Sequence, residues 1–565
     1  MNRFKAKLKE FDLSQSFIFL VLLALLFTFI LYPLIRVLYV AFTEEGTLSI
    51  AHFINFFERS LFMESFRNSL TAGVMAVIFG SLISLPLAFF TIKYDFKART
   101  LIQTLGVLPL VMPPFVGAVA LQLILGRSGM VNLLLLDWFG TSIPFMEGLR
   151  GVILVQTLHY FPFIFLNASA SLANVDPSLE EMAQNLGAHG FRLFRKVTLP
   201  LMMPGYVAGA LLVFIRVIDD LGTPLMLNYT KMLAPQAYLR VTTIGVEDKA
   251  GYVICVIMVV LSLLSLWAAM KFLSLSEYAM LQRGGTGTPI SKRIGGWKLA
   301  FVLAFSFFIL GISLLPHLGI FVLSFAKIWS FSILPRAYTL SHYVEIFFRT
   351  PHFVKNTLLY CLLAAFIDVI LGSIIAFLLI RGRVWGKGIL DAISTMPLAI
   401  PGVVLATGYL RVFHGTPLPF FHQPLTSLWI ILVIAYSARR LPYTLRSCYA
   451  SIQQIHVSLE EAALNLGANR KRTFFKVTFP LMTGGLIAGG LLAFITSSVE
   501  LASTIMLVPR MEYGPLSYGI YIYMQSAVGR GPGAALGVVA ILLVAIGTYL
   551  VNRVFSGGSG TAFRL

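Results

Sequence analysis

Long apolar stretches return along this chain at close intervals, and each is long enough to cross a bilayer as a helix. A hydrocarbon layer of about 30 Å takes roughly 20 helical residues. Twelve runs reach that length. They lie near residues 16–42, 68–92, 100–125, 151–174, 204–226 and 251–274, then near 299–326, 356–380, 389–412, 425–448, 484–508 and 532–554. The runs are continuous and do not alternate, which argues against a transmembrane barrel. Of the 565 residues, 58% are hydrophobic and 12% charged, where a soluble domain carries about 25% charged residues. A single water-soluble core is therefore excluded. The expected fold class is an all-α polytopic membrane protein.

The charged residues give the sidedness. Lys and Arg outnumber Asp and Glu by 43 to 24, and the excess gathers in alternate loops, as expected when those loops and both termini face the cytoplasm. This accounts for the basic balance without nucleic acid. Arg216 is the one basic residue expected within a span. Arg3, Lys5, Lys7 and Lys9 precede an apolar run too long for a signal peptide and without a small-residue cleavage site, so that run is expected to be a retained first span. Cys255, Cys361 and Cys448 lie far apart in or beside spans and indicate neither a disulfide framework nor a thiolate metal site.

The chain repeats itself. Residues 176–205 (DPSLEEMAQNLGAHGFRLFRKVTLPLMMPG) match residues 456–485 (HVSLEEAALNLGANRKRTFFKVTFPLMTGG) at 18 of 30 positions, at an offset of 280. Earlier in each half the offset is 288, where Asn68 pairs with Asn356, Pro109 with Pro397 and Pro113 with Pro401. Both halves hold an even number of expected spans, so they should be related by a pseudo-two-fold along the membrane normal. The expected organisation is a first half over 1–274, a Gly-rich linker over 275–298 that includes Gly284, Gly285 and Gly287, and a second half over 299–565.

The repeated loop reads as a short amphipathic helix. Ser178 with Glu181, and Ser458 with Glu461, have the spacing of a capping box. Pro177 suits the first turn, and Gly187 and Gly467 suit a left-handed C-terminal position. Between them lie Leu179, Met182, Ala183 and Leu186, matched by Leu459, Ala462, Ala463 and Leu466, at i, i+3, i+4, i+7 spacing. Such a stripe either docks on a partner or packs on the protein's own membrane domain.

The pattern E-A-A, three residues, Gly, nine residues, Ile or Val, one residue, Leu-Pro resembles the signature loop of ABC-importer permeases. Glu181, Met182, Ala183, Gly187, Val197, Leu199 and Pro200 follow it with Met for the first Ala. Glu461, Ala462, Ala463, Gly467, Val477, Phe479 and Pro480 follow it with Phe for Leu. The fused form resembles the permeases of bacterial ferric-iron importers, with thiamine and aminophosphonate importers as cousins. The resemblance implies that the two loops, through Leu179, Leu459 and the residues just named up to Gly187 and Gly467, are coupling helices seated on ATPase subunits. It implies two copies of a cytoplasmic ATP-binding subunit, an external binding protein, periplasmic or lipid-anchored, and a place in the bacterial inner membrane. ATP and Mg would then sit on the partner, with no cofactor in this chain. The sequence agrees in having no G-x-x-x-x-G-K-[ST] phosphate loop. The expected function is inward passage of a small solute, ferric iron first, with thiamine, aminoethylphosphonate or another small anion as alternatives. An ion-coupled secondary transporter is a more distant one.

Polar groups inside spans are costly and mark candidate pathways. Asp219 and Asp220 lie late in the fifth expected span, and Glu500 aligns with Asp220. Two acids at matching places would put carboxylates near the pseudo-axis, where hard cations prefer oxygen ligands. Helix capping is the plainer reading. Pro113 and Pro401 interrupt the third span of each half, and broken helices at membrane depth suit a cavity or gate. Asp368 and Arg216 have no counterpart in the other half. His159 reads as a buried, satisfied histidine, and His414 and His422 as surface residues.

Overall fold

The structure, a computed structural model, describes residues 13–275, 292–329, 331–415, 417, 422–526 and 529–556. Most of the expected linker and both chain ends lie outside the described residues. The structure is almost wholly helical. The elements used below are α1 (Gln15–Phe42) and α2 (Ser60–Lys93), α3 (Arg99–Val107), α4 (Pro114–Leu125), α5 (Gly148–Ala173), α6 (Pro177–Asn185), α7 (Leu199–Asp219), α8 (Gly222–Met226) and α9 (Lys249–Leu275). The second set is α10 (Gly296–Phe325), α11 (His352–Ile380), α12 (Lys387–Thr395), α13 (Gly402–Phe413), α14 (Ile430–Gln454), α15 (Val457–Asn465), α16 (Phe479–Ser498), α17 (Ala502–Leu507) and α18 (Arg530–Ser556).

Helix is found at all twelve expected positions, but twelve uniform spans is a simplification. Among the described residues ten helices are long and apolar enough to cross a membrane, and one further pair, ending at Leu398 and restarting at Gly402, is bent by 110°. The prolines cause the break: Pro113 and Pro401 sit at the N-caps of α4 and α13 with extended ψ angles of 137° and 145°, and proline disfavours helix in the residue before it. The remaining position, α14, is 25 residues long but carries Arg439, Arg440 and Arg446. Arg216 is therefore not alone inside a helix at this depth, as the sequence suggested.

Large apolar side chains such as Phe17, Leu20, Leu263, Trp267, Leu362 and Phe366 stay exposed along the outer helices. An apolar belt of that kind is matched by lipid rather than water. Inside, α2 and α7 pack along α5, and α11 and α16 pack along α14 in the same arrangement. Asn68 donates to Tyr229 Oη (2.8 Å) and Lys231 O (3.0 Å), and Asn356 donates to Glu512 O (2.8 Å) and Gly514 O (3.1 Å). Each ties the second span of its half to the loop after the fifth.

The first span of each half crosses to the other half. α1 packs on α13 and α10 packs on α4. Where α1 crosses, a Cβ on Gly408 would lie 2.9 Å from Pro33 Cβ, and Tyr409 Oη donates to Phe29 O at 2.7 Å. Where α10 crosses, a Cβ on Gly319 would lie 2.9 Å from Ile124 Cδ1. Small residues allow helices to approach closely where burial from water supplies no driving force. Near the linker, Tyr94–Asp95 pairs in parallel with Lys292–Arg293, two residues on each side.

Candidate functional site

Two constellations stand out, one at a membrane face and one at the centre.

At the face, α5 ends and the chain turns into α6; α14 turns into α15 in the same way. The caps differ from the expected box. Asp176 Oδ1 accepts from Ser178 N at 2.9 Å, and His456 Nδ1 accepts from Ser458 N at 3.3 Å. The capping side chains are thus Asp176 and His456, two positions earlier than Ser178 and Ser458. A short side chain just before the first turn reaches the free amide more directly than a serine already inside the helix. Glu181 and Glu461 are consequently not occupied as caps. Both are exposed and have no hydrogen-bond or ion-pair partner among the described residues. Gly187 and Gly467 take the left-handed φ expected of them, +84° and +86°. Ala188 N and Ala468 N then reach back to Ala183 O and Ala463 O at 2.9 and 3.0 Å, which closes each helix in a Schellman turn.

The stripe divides. Leu179 is half-buried against the core beneath it. Met182, Leu459 and Leu464 are exposed, and Leu186 and Leu466 are each 89% exposed. Neither α6 nor α15 contains a buried residue. Ala183 and Ala463 are half-buried, while Ala462 is exposed.

What holds these two helices was not foreseen from the sequence. Glu180 Oε2 accepts from Lys93 Nζ at 2.7 Å, and its Oε1 accepts from Thr198 Oγ1 at 2.8 Å. In the second copy Glu460 Oε1 accepts from Arg381 Nε and from Thr478 Oγ1, both at 3.2 Å. Lys93 and Arg381 end α2 and α11. The signal was present: Lys93 and Arg381 are 288 apart, the offset already seen for Asn68 and Asn356. Each loop then passes through one π-helical turn, Phe194–Thr198 or Phe474–Thr478, before α7 or α16 begins. Single π turns within α-helices often mark functional positions.

At the centre, α7 and α16 end at matching places and each is followed by a short helix. Asp220 accepts from Thr223 N at 3.1 Å and from Gln156 Nε2 at 3.0 Å. Glu500 accepts from Ser503 N at 3.4 Å and Ser503 Oγ at 3.3 Å. Each acid therefore caps the helix after it, α8 or α17, and both are buried. The expected pair of open carboxylates, Asp220 facing Glu500, is not formed. Glu500 is ion-paired with Arg439 and Arg440. Arg439 Nη2 also donates to Asp219 Oδ2 at 2.9 Å, and Gly402 N donates to Asp219 Oδ1 at 2.7 Å. Arg216 Nη2 donates to Tyr443 Oη at 2.8 Å. Buried charges are tolerated when paired and hydrogen-bonded, and here the pairing runs from one half to the other. Pro401 lies beside Gly402 at the start of α13, so the helix break presents a free amide to Asp219. Pro113 occupies the equivalent break, but Pro114 stands where Gly402 does and has no amide to offer.

The other polar residues singled out from the sequence lie outside the hydrogen bonds and ion pairs of both constellations. Ser437 Oγ donates to Asp368 Oδ1 at 2.5 Å. His159 meets Tyr160 edge-on at 4.7 Å. His414 and His422 are exposed, and the three cysteines are buried and unpaired. No group of three or more His, Cys, Asp or Glu able to hold a metal occurs among the described residues. At the end of the helices opposite α6, a cavity of about 300 Å³ is lined by Gln122, Arg127, Ser128, Glu147, Phe331 and Arg530, among others.

Comparison with known proteins follows the same two-part plan. The family described as "binding-protein-dependent transport system inner membrane component" matches twice, over residues 76–275 and 368–556. A ferric transport system permease protein FbpB of Actinobacillus pleuropneumoniae is 25% identical over 513 residues, covering 89% of this chain and 73% of that one. A molybdenum transport system permease protein ModB of Haemophilus influenzae is 32% identical over 208 residues, covering 35% of this chain and 90% of that one. Among solved structures, a bacterial alginate ABC transporter in complex with an alginate-bound periplasmic protein aligns at 19% identity and a TM-score of 0.38, over 46% of this chain and 94% of that one. With the family matched twice across most of its length, this multi-pass chain belongs to the binding-protein-dependent inner-membrane transport components and is a fused, two-domain ABC-importer permease.

Proposed function

We propose that this permease carries ferric iron into the cytoplasm, and that α6 and α15 are the surfaces on which two copies of a separate ATP-hydrolysing subunit dock. The observation that carries the docking assignment is the pair of leucines at equivalent tips, Leu186 and Leu466, each 89% exposed on a helix otherwise held only at its base. Burying such a side chain contributes roughly 1.5–3 kcal/mol, and nothing among the described residues covers these two. Glu181 and Glu461 stand beside them, free to meet a cation on the partner. The Lys and Arg bias supports a cytoplasmic side for both termini and both docking helices. An external binding protein delivers the solute at the opposite end.

The transport cycle follows from two docking helices on one chain. ATP-driven closure of the paired ATPase subunits draws α6 and α15 together and opens the outer side. Hydrolysis lets them part and opens the inner side. The cluster at Asp219, Arg439 and Glu500, with the breaks at Pro113 and Pro401, lies between the halves and is where the path opens and closes.

Iron as cargo rests on the relatives named for ferric transport, which align along 89% of the chain. A small oxyanion is the second reading, favoured by one observation: guanidinium groups of Arg439 and Arg440 occupy the centre where open carboxylates were expected. Uptake of radioactive ferric iron into proteoliposomes holding the permease, its ATPase and its binding protein tests the assignment. Uptake of iron unaffected by excess molybdate, sulfate or phosphate supports it. Uptake of labelled oxyanion without iron overturns the cargo and leaves the transporter class standing. Docking is tested separately, by co-purification of the ATPase with a Leu186→Asp, Leu466→Asp variant: loss of the ATPase is expected, and full retention overturns the docking surface.

A further inference from the structure

We infer that Lys93, Glu180 and Thr198, and their counterparts Arg381, Glu460 and Thr478, are positioning residues that transmit movement of the docking helices to the second and fifth spans. This rests on the docking assignment above, and it adds the link between that surface and the membrane.

The argument starts from how little else holds the docking helices. Neither has a buried residue, and a helix of two to three turns is marginal by itself. Its orientation therefore depends on the few contacts at its base. The main polar contact is one carboxylate in the first turn, Glu180 or Glu460, which reaches two separate spans at once. Glu180 takes a proton donor from the last residue of α2 (Lys93, 2.7 Å) and another from the residue just before α7 (Thr198, 2.8 Å). Glu460 does the same with Arg381 beyond α11 and Thr478 before α16, both at 3.2 Å. Arg381 Nη2 adds a bond to Ile455 O at 2.7 Å, one residue before the His456 cap.

The two copies differ where they can and agree where they must. The cation is Lys in one and Arg in the other, but it keeps its place at the end of the second span. The acid and the threonine are identical and keep their spacing. The side chains of both ion pairs are largely shielded, 13% and 14% exposed in one and 16% and 15% in the other. The threonines are buried. A solvent-exposed pair would contribute little and could be remade elsewhere on the surface. A shielded acid bonded to two elements fixes an angle. The neighbouring Glu181 and Glu461 point outward, so adjacent acids divide the work: one faces the partner, the other grips the membrane domain. The π turn that ends at Thr198 or Thr478 puts the grip at the point where the loop becomes span.

The test uses the complete transporter with its ATPase and binding protein in proteoliposomes, and reads solute imported per ATP hydrolysed. Lys93→Glu with Arg381→Glu should leave ATPase co-purification intact, because Leu186 and Leu466 are untouched, and lower the ratio by roughly tenfold, within the usual span of coupling effects. Adding Glu180→Lys and Glu460→Lys re-forms the pairs with exchanged signs and should restore most of the ratio. Lys93→Arg and Arg381→Lys should retain it. If the charge-reversed chains fail to accumulate, Lys93→Met with Arg381→Met serves instead, with the same loss expected. An unchanged ratio in either variant overturns the inference, as does a loss that the sign exchange does not repair. Failure of the docking assignment has a different signature, namely ATPase retention in the Leu186→Asp, Leu466→Asp variant.

Discussion

Arg439 joins Asp219 to Glu500: one guanidinium, 6% exposed, donates to Asp219 from the first half and to Glu500 from the second. Removing one member of a buried pair leaves the other charge uncompensated, at a cost of about 3–5 kcal/mol. Arg439→Met strands Asp219 and leaves Glu500 to Arg440 alone, and it should lower the unfolding midpoint in detergent more than Asp219→Asn does. Combining Arg439→Met with Asp219→Asn should recover part of that loss. Thermal unfolding of the four proteins checks the order, and equal midpoints for all four would show that the pairing contributes nothing.

Gly402 sits inside the same cluster. A Cβ there would overlap Arg439 Nη1 and approach Glu500 Oε1 to 3.0 Å. Gly402→Ala should therefore lower uptake, as Arg439→Met should, although it alters no charge. Uptake assays on both variants check this, and wild-type uptake by Gly402→Ala would mean that the arginine moves aside freely.

Gly187 and Gly467 offer a backbone test without a steric one. Nothing lies within 4 Å of a Cβ at either position, yet φ is +84° and +86°. A left-handed non-glycine residue costs about 1–2 kcal/mol, least for Asn. Gly187→Val with Gly467→Val should weaken ATPase co-purification, while the Asn versions should keep most of it. Pull-down at graded ATPase concentration measures the difference.

Asn68 and Asn356 each make two bonds to the loop beyond the fifth span. A net contribution of about 0.5–1.5 kcal/mol per bond predicts that Asn356→Ala raises proteolysis near residues 509–515 with little change in ATPase binding. Limited proteolysis followed by peptide mapping checks this.

The helices were legible because the apolar runs are long and the lipid requirement is strict. The repeat was legible because both copies of the loop keep their capping region and their glycine. Three things were not legible, each for a physical reason. The cap is set by backbone geometry one step outside the helix, so Asp176 and His456 took a role that spacing assigned to Ser178 and Ser458. The grip of Lys93 on Glu180 joins residues 87 apart, which only packing of α2 beside α5 brings together. Arg439 and Arg440 were hidden by an average: within a long apolar run two charges lower the mean without abolishing it, and their meaning depends on Asp219 and Glu500 from other helices. The same dependence turned the acids from open ligands into partners. A carboxylate in a sequence carries no mark of whether a guanidinium already occupies it.

The crossing of α1 onto α13, and of α10 onto α4, sets an order on biosynthesis. α1 precedes α13 in the chain by the rest of the first half and the linker, so this contact forms only after all of these have been made. Until then only α9, from its own half, packs on this part of α1. The seating of α1 against α13 is thus a late step of assembly, and a chain interrupted between the halves is left with α1 lacking α13 and α4 lacking α10.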